Sequence, residues 1–210
     1  QLGIGLSHKV VIEDMFGLSY SKPVRHMREY LSVLMPLLRG ESANFDGEEY
    51  RVHGVQFSVP EVSDVPVVIA ALGPQMLKVA AEFADGTHTW MVGPNTMEEH
   101  ILGSFEAAGK KNPRVVAGMP IVLTEKVDEA NEAIAKNLTM YGQLPSYRAM
   151  LDREGLEGPA DLAMIGDENL LYGQIKRFAD MGVSDFNAAI MDVEDGAYDR
   201  TLEFLAGFKG

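Results

Sequence analysis

The chain has 210 residues, 46% of them hydrophobic, and its 31 acidic against 18 basic side chains give a net charge of −13. That apolar content supports one domain with a sizeable core, while the acidity and the lack of a dense Lys/Arg cluster exclude a nucleic-acid footprint and binding to anionic membrane surfaces. Cysteine is absent, which excludes disulfides, thiolate nucleophiles and Cys-ligated metals; no apolar run is long enough to cross a bilayer and no signal-peptide pattern is present, so a cytoplasmic protein is the expectation.

The first run, QLGIGLSH at 1–8, reads as a buried strand from Leu2 to Leu6, an unusual place for a chain to begin. Val24, Met27, Leu31, Leu34 and Leu38 then recur at helical spacing, which predicts a helix from near Ser21, with Pro23 in its first turn and Gly40 as its stop. FDGEEYRVHGVQFSV at 45–59 places the turn signal Asp46-Gly47 between β-formers and predicts a β-hairpin insertion over 40–64. A strand from Val65 to Leu72, a helix through Met76, Ala80 and Phe83, and a strand from Thr87 to Val92 follow.

Next come a strand from Val115 to Leu123 and a helix through Val127, Ala130, Ile134, Leu138 and Tyr141. The polar, Gly/Pro-marked stretch from Leu144 to Asp167 reads as an insertion with one or two short helices, a candidate lid or substrate wall over 144–167. A helix through Leu171, Ile175, Phe178 and Met181, capped by Gly182, leads to a strand from Asp185 to Met191 and a last helix near Tyr198 to Phe208. Short apolar runs alternating with amphipathic helices indicate an α/β fold with a parallel sheet. About five strand–helix units complete an open doubly wound sheet or supply part of an eight-unit barrel, which takes about 250 residues. The pattern leaves both open.

The most informative stretch runs from Val65 to Pro94. Gly73 ends a buried strand and lets the backbone approach a ligand, Pro74 opens a helix, and the amides of Gln75, Met76 and Leu77 are expected to be free for an anion such as phosphate. A plain strand-to-helix turn accounts for the same residues. Trp90, the single Trp, falls toward the C-terminal end of a strand, where barrel enzymes place their sites, although core packing accounts for it equally well. Gly3 and Gly5 form G-x-G with His8 where a dinucleotide fingerprint wants its third Gly, so that match fails.

What remains at that strand end is Ser7 beside His8, a hydroxyl and an imidazole able to hydrogen-bond or move protons near neutral pH. No metal-ligand spacing joins His26, His53, His88 and His100, and no G-x-S-x-G elbow occurs. The adjacent pairs Glu13-Asp14 and Glu98-Glu99 read as solvated, and most of the 12 Met residues as core.

LGIGLSH at 2–8, RHMREYLSVLMPLLRGE at 25–41, FDGEEYRV at 45–52 and PVVIAALGPQMLKVAAEFADGTHTWMVGP at 66–94 resemble, in order and spacing, the luciferase-like monooxygenase family of flavin- or deazaflavin-dependent oxidoreductases. The resemblance is strongest to its coenzyme F420-dependent branch. It implies a (β/α)8 TIM barrel holding a flavin-like cofactor at the strands' C-terminal ends, with this single-domain chain of 1–210 supplying about the last five units and lacking roughly three before Leu2.

By the same resemblance, Leu6 and Ser7 line the cofactor, and His8 stands where relatives often have a proton-transferring acid. The loop Leu72, Gly73, Pro74, Gln75 and Met76 wraps the cofactor near its phosphate, and Trp90 faces the substrate pocket. The implied activity is hydride transfer between F420 and a small organic substrate. FMN-dependent monooxygenation with O2 is the close variant, and a shortened, non-catalytic flavin-binding or structural relative is the alternative from another class. Relatives often form homodimers.

Overall fold

The computed structural model describes residues 1–57 and 64–208. In chain order the strands are β1 (Leu2–Ile4), β2 (Ala43–Asp46), β3 (Arg51–Val55), β4 (Val67–Ile69), β5 (Gly86–Trp90), β6 (Arg114–Leu123), β7 (Met164–Gly166) and β8 (Asp185–Ile190). The α-helices are α1 (Pro23–Leu38), α2 (Pro74–Phe83), α3 (Pro94–Thr96), α4 (Gly103–Ala107), α5 (Val127–Asn137), α6 (Thr139–Gln143), α7 (Pro145–Glu154), α8 (Glu168–Asp180) and α9 (Ala197–Gly207). Single π-helical turns sit at Val10–Met15 and Met97–Leu102, the latter joining α3 to α4.

Strand order decides between the two architectures that the pattern left open. β1, β4, β5 and β6 pair side by side and parallel, and β6 continues to both β7 and β8. Ile121 is aligned with Met164 of β7 and with Ile190 of β8, so these two strands lie on opposite edges of β6. β7 therefore takes over the edge that β5 leaves at Gly118, and the main series is β1-β4-β5-β6-β8. Parallel strands that follow one another in chain order, with helices between them, are the progression of a (β/α)8 barrel; a doubly wound sheet reverses its order partway. The chain holds five such units of a barrel.

The strands read as apolar runs because both faces are covered. Val67, Val68 and Ile69 are fully buried in succession. The helices cover one face with Met27 and Leu31 of α1, Leu77 and Ala80 of α2, Phe105 of α4, Ile134 of α5 and Leu171 and Phe178 of α8. Each such side chain contributes about 1.5–3 kcal/mol by leaving water. The other face lines the barrel interior. Aligned residues of parallel strands share a face, so His88, Val116 and Asp185 point inward together, as do Trp90, Gly118 and Asn187 one layer nearer the C-terminal ends.

The five strands predicted from apolar runs all form, most with shorter bounds. Leu6 and Leu72 fall beyond their strands, in the connections that follow β1 and β4. The helix expected through Tyr141 breaks at Leu138, whose backbone is not helical, into α5 and α6. The hairpin appears as β2–β3, with Gly47 in the turn after Asp46; residues 58–63 of the 40–64 insertion lie outside the described residues. The stretch 144–167 forms α7, a short 3-10 turn at Pro159–Leu162 and the unpredicted β7. The helical residues 94–107 were also unpredicted.

Candidate active site

The C-terminal ends of β1, β4 and β5 open onto one cavity of about 970 Å³. Leu6, Ser7 and His8 reach it from the end of β1, Leu72, Gly73 and Met76 from the end of β4, and Trp90 from β5. Seven residues singled out in the sequence are thereby brought together; Pro74 and Gln75 stand outside the lining. Its size suits a tricyclic ring with part of a side chain, being at the upper end of the ~300–1,000 Å³ usual for ligand sites.

The turn after β1 is held in an uncommon backbone state. Ser7 has φ of 59°, a left-handed conformation rarely adopted by a residue with a Cβ. Its carbonyl accepts a hydrogen bond from the Tyr20 hydroxyl at 3.1 Å. The carbonyl of His8 accepts from the amides of Val11 and Ile12 at 3.0 and 2.9 Å, which starts the π-helical turn and leaves the imidazole at the cavity. Glu13, in that turn, accepts from the Tyr20 amide at 3.2 Å and pairs with Lys9 at 3.6 Å. Glu13 and Asp14 line the cavity mouth rather than being merely solvated as their adjacency suggested.

Aromatic rings pack against His8 and Trp90, with Tyr147 on the cavity lining and Tyr141 behind it. His8 meets the edges of Tyr141 and Tyr147 at centroid distances of 6.2 and 5.8 Å, Tyr141 meets Tyr147 at 5.1 Å, and Trp90 meets Tyr141 at 6.2 Å. Burial, with Tyr141 adding to it, pushes the Tyr147 hydroxyl up to about 12, so it stays protonated. The Trp90 indole nitrogen is buried with no hydrogen-bond partner among the described residues. Leu144, Pro145, Ser146 and Tyr147 put the start of the 144–167 stretch directly on the cavity. Glu154, at the far end of α7, anchors that stretch by accepting from the amides of Asn95 and Thr96 at 3.1 and 2.8 Å.

At the start of α2, Gly73 is extended with φ −79° and ψ 151°, and a Cβ built on it meets nothing within 4 Å. The Leu77 amide donates to the Gly73 carbonyl at 2.9 Å, so it is not available to an anion; the amides of Gln75 and Met76 remain without a helical acceptor. His100 donates to the Leu72 carbonyl at 2.7 Å and fixes the preceding turn. Free amides at a helix N-terminus, an open space beside Gly73 and a cavity of this size fit a phosphate-bearing, flat-ringed cofactor.

Two contributors were missed in the sequence, His88 and His100, both set aside there as scattered. His88 lines the cavity beneath Trp90, and its Nε2 lies 3.1 Å from the side-chain amide of Asn187. Burial holds its pKa below the ordinary imidazole value, with Asp185 opposing that shift. The alternation of β5, which puts residues 88 and 90 on one face, was the available signal.

Comparison with known proteins places this geometry. A family model described as luciferase-like monooxygenase matches residues 1–201. The chain is similar to a 5,10-methylenetetrahydromethanopterin reductase of Archaeoglobus fulgidus, with 31% identity over 164 residues, 76% of this chain and 48% of the relative. It is also similar to an F420-dependent glucose-6-phosphate dehydrogenase of Mycolicibacterium gilvum, 29% identical over 175 residues, 80% of this chain and 50% of the relative. The chain thus spans about half the length of the curated relatives it matches.

Among solved structures, a coenzyme F420 dependent tetrahydromethanopterin reductase from Methanopyrus kandleri superposes with a TM-score of 0.76 at 18% identity, over 98% of this chain and 72% of that one, a likeness of fold. No helix among the described residues is long and apolar enough to cross a membrane. A family match over nearly the whole length, on a parallel sheet whose strands follow one another in barrel order, makes this chain a member of the luciferase-like monooxygenase family.

Proposed function

We propose that the chain carries the cofactor-binding part of an oxidoreductase that moves a hydride between coenzyme F420 and a small organic substrate. The observation that carries this reading is the convergence of Ser7-His8, Leu72-Gly73 and Trp90 on one cavity at the strands' C-terminal ends. Similarity to an F420-dependent glucose-6-phosphate dehydrogenase supports F420 over FMN.

F420, when bound, supplies or accepts the hydride. The chain's own residues bind, orient and exclude water. At the start of α2 the free amide of Met76, on the cavity lining, would receive the phosphate, aided by the helix dipole and by the free Gln75 amide just outside the lining, and Gly73 leaves its side-chain space to the ligand. Leu6, Leu72 and Met76 give the ring apolar surface, and Trp90 walls the substrate side. The protonated Tyr147, on the lining and backed by Tyr141, helps keep water from the cavity. His8, the one imidazole at the end of β1, holds or moves a proton at a ring nitrogen where the substrate gains or loses it. The 144–167 stretch acts as the substrate-facing wall.

Titrating the 210-residue chain with F420 and separately with FMN, read by cofactor fluorescence, tests the reading. Saturable F420 binding is expected, competed by inorganic phosphate. FMN binding without F420 binding would move the assignment to FMN-linked monooxygenation. Binding of neither would remove the redox reading in favour of a non-catalytic relative.

A further inference from the structure

The floor of the cavity is bare except at one position. In the layer below Trp90 the inward positions of β1 and β4 lead to Gly5 and Ala70, and a Cβ on Gly5 would touch that of Ala70 at 3.2 Å. The next inward side chain in that layer is His88, on the cavity lining. It is held from the far side of β6, where Asn187 of β8 stands 3.1 Å away with its amide nitrogen toward Nε2.

The two meet because β6 has glycine at that level. Gly118 is aligned with both Trp90 and Asn187, and a Cβ there would lie 3.4 Å from the His88 Nε2. With Asn187 donating, Nε2 is the acceptor and the imidazole proton sits on Nδ1. Nδ1 has no hydrogen-bond partner among the described residues. Asp185, the nearest carboxylate on this face, is engaged by the Arg114 guanidinium at 2.7 and 2.9 Å and by the Ser184 hydroxyl at 2.9 Å, and leaves His88 to Asn187.

We propose that His88 is a cofactor-contacting residue whose Nδ1–H donates a hydrogen bond to an acceptor oxygen on the edge of the flavin-like ring, with Asn187 as the positioning residue that fixes the tautomer. This rests on the functional reading above. The acceptor oxygen has two sources: a pyrimidinedione carbonyl, which F420 and FMN share, or the ring hydroxyl that F420 carries where FMN has a methyl group.

The test compares the full chain with His88→Ala, His88→Gln, Asn187→Ala and Asn187→Asp. Affinity for F420 and FMN is read by fluorescence, and the His88 tautomer by nitrogen-15 NMR without ligand. His88→Ala is expected to weaken cofactor binding about tenfold, the scale of one lost hydrogen bond, and His88→Gln to recover most of it. Loss with both cofactors assigns the contact to a pyrimidinedione carbonyl, and loss with F420 alone to its hydroxyl.

Asn187→Asp puts an acceptor-only carboxylate beside Nε2, which then carries the proton and donates a hydrogen bond to it, so the variant should switch the tautomer and weaken binding as His88→Ala does, while Asn187→Ala leaves the tautomers mixed. A wild-type chain that binds cofactor equally well as His88→Ala overturns this inference and leaves the functional reading standing. So does a wild-type His88 found as the Nε2–H tautomer. A wild-type chain that binds neither cofactor removes both.

Discussion

The side-chain amide nitrogen of Asn187 lies 3.1 Å from Nε2 of His88, and the two reach each other across a strand whose intervening residue, Gly118, has no side chain. Burial holds the imidazole below its ordinary value of 6.5. Between its folded and unfolded pKa values the unfolded chain therefore binds more protons, so this group's contribution to stability is present above about pH 6.5 and is lost as pH falls through the window below it. Asp185, held below 3.8 first by its hydrogen bonds to Arg114, loses its contribution only in stronger acid. Denaturant titrations at about pH 7 and about pH 5 are expected to show wild type losing more stability than His88→Gln. An identical loss in both proteins would contradict the assignment.

Gly118 makes a second, steric prediction. A Cβ at that position would stand 2.6 Å from the Thr89 carbonyl oxygen and 3.2 Å from the Trp90 ring, so strands β5 and β6 must part or Trp90 must move. Gly118→Ala is expected to cost about 1–3 kcal/mol, the usual range for overpacking, and to abolish cofactor binding. At Gly3 a Cβ meets nothing within 4 Å, so Gly3→Ala should change stability by no more than about 0.5 kcal/mol. Equal effects of the two substitutions in a thermal melt would argue against this packing.

The strands were legible because burial on both faces writes them as unbroken apolar runs, as at Val67-Val68-Ile69. The helical stretch 94–107 was not. Met97, Ile101 and Phe105 are buried at every fourth residue through a π-helical turn, a period that drifts off the 3.6-residue pattern. β7 was hidden because its three residues pair with the overhang of β6 beyond Gly118, a feature of register and not of composition. His88 read as an isolated histidine because its partner is 99 residues away and its access depends on a glycine in a third strand. The strand-to-helix turn was legible from Gly73-Pro74, but the count of free amides read there was one too high, since the fourth amide of a helix already has the cap carbonyl.

Gly73 separates binding from folding. Its φ of −79° is open to any residue, and a Cβ there meets no protein atom within 4 Å. Gly73→Ala is therefore expected to leave the melting temperature within a degree or two of wild type, while the added methyl occupies space assigned to the cofactor and weakens F420 binding about tenfold or more. Unchanged affinity would put the phosphate end of the cofactor elsewhere.

Glu29 organises the hairpin insertion. Its buried carboxylate accepts from the amides of Glu48, Glu49 and Tyr50 at 3.2, 2.8 and 3.0 Å, and those bonds hold its pKa below the ordinary carboxylate value even though burial pushes the other way. A carboxylate with a depressed folded pKa contributes above its unfolded value of 4.5 and loses that contribution as pH falls through the folded one. Glu29→Gln keeps the shape and removes the charge. Faster hydrogen exchange at the amides of residues 48–50, with the sheet core unaffected, is the expected result; unchanged exchange there would deny the carboxylate its role.

Trp90 offers a direct reading of the cavity, because it is the single tryptophan in the chain and its ring lies on the lining. A bound flavin-like ring absorbs where indole emits, so F420 should quench the intrinsic fluorescence as it binds, with the same midpoint as the cofactor signal. The indole edge also packs on Tyr141 at 6.2 Å, and its buried nitrogen has no partner to lose among the described residues. Trp90→Phe therefore sacrifices ring area and one aromatic contact without stranding a polar group, at an expected cost of about 1–2 kcal/mol. The variant should still bind F420 by the cofactor signal, more weakly and with no tryptophan emission to quench. Quenching in wild type with a midpoint far from that of the cofactor signal would place the bound ring away from β5.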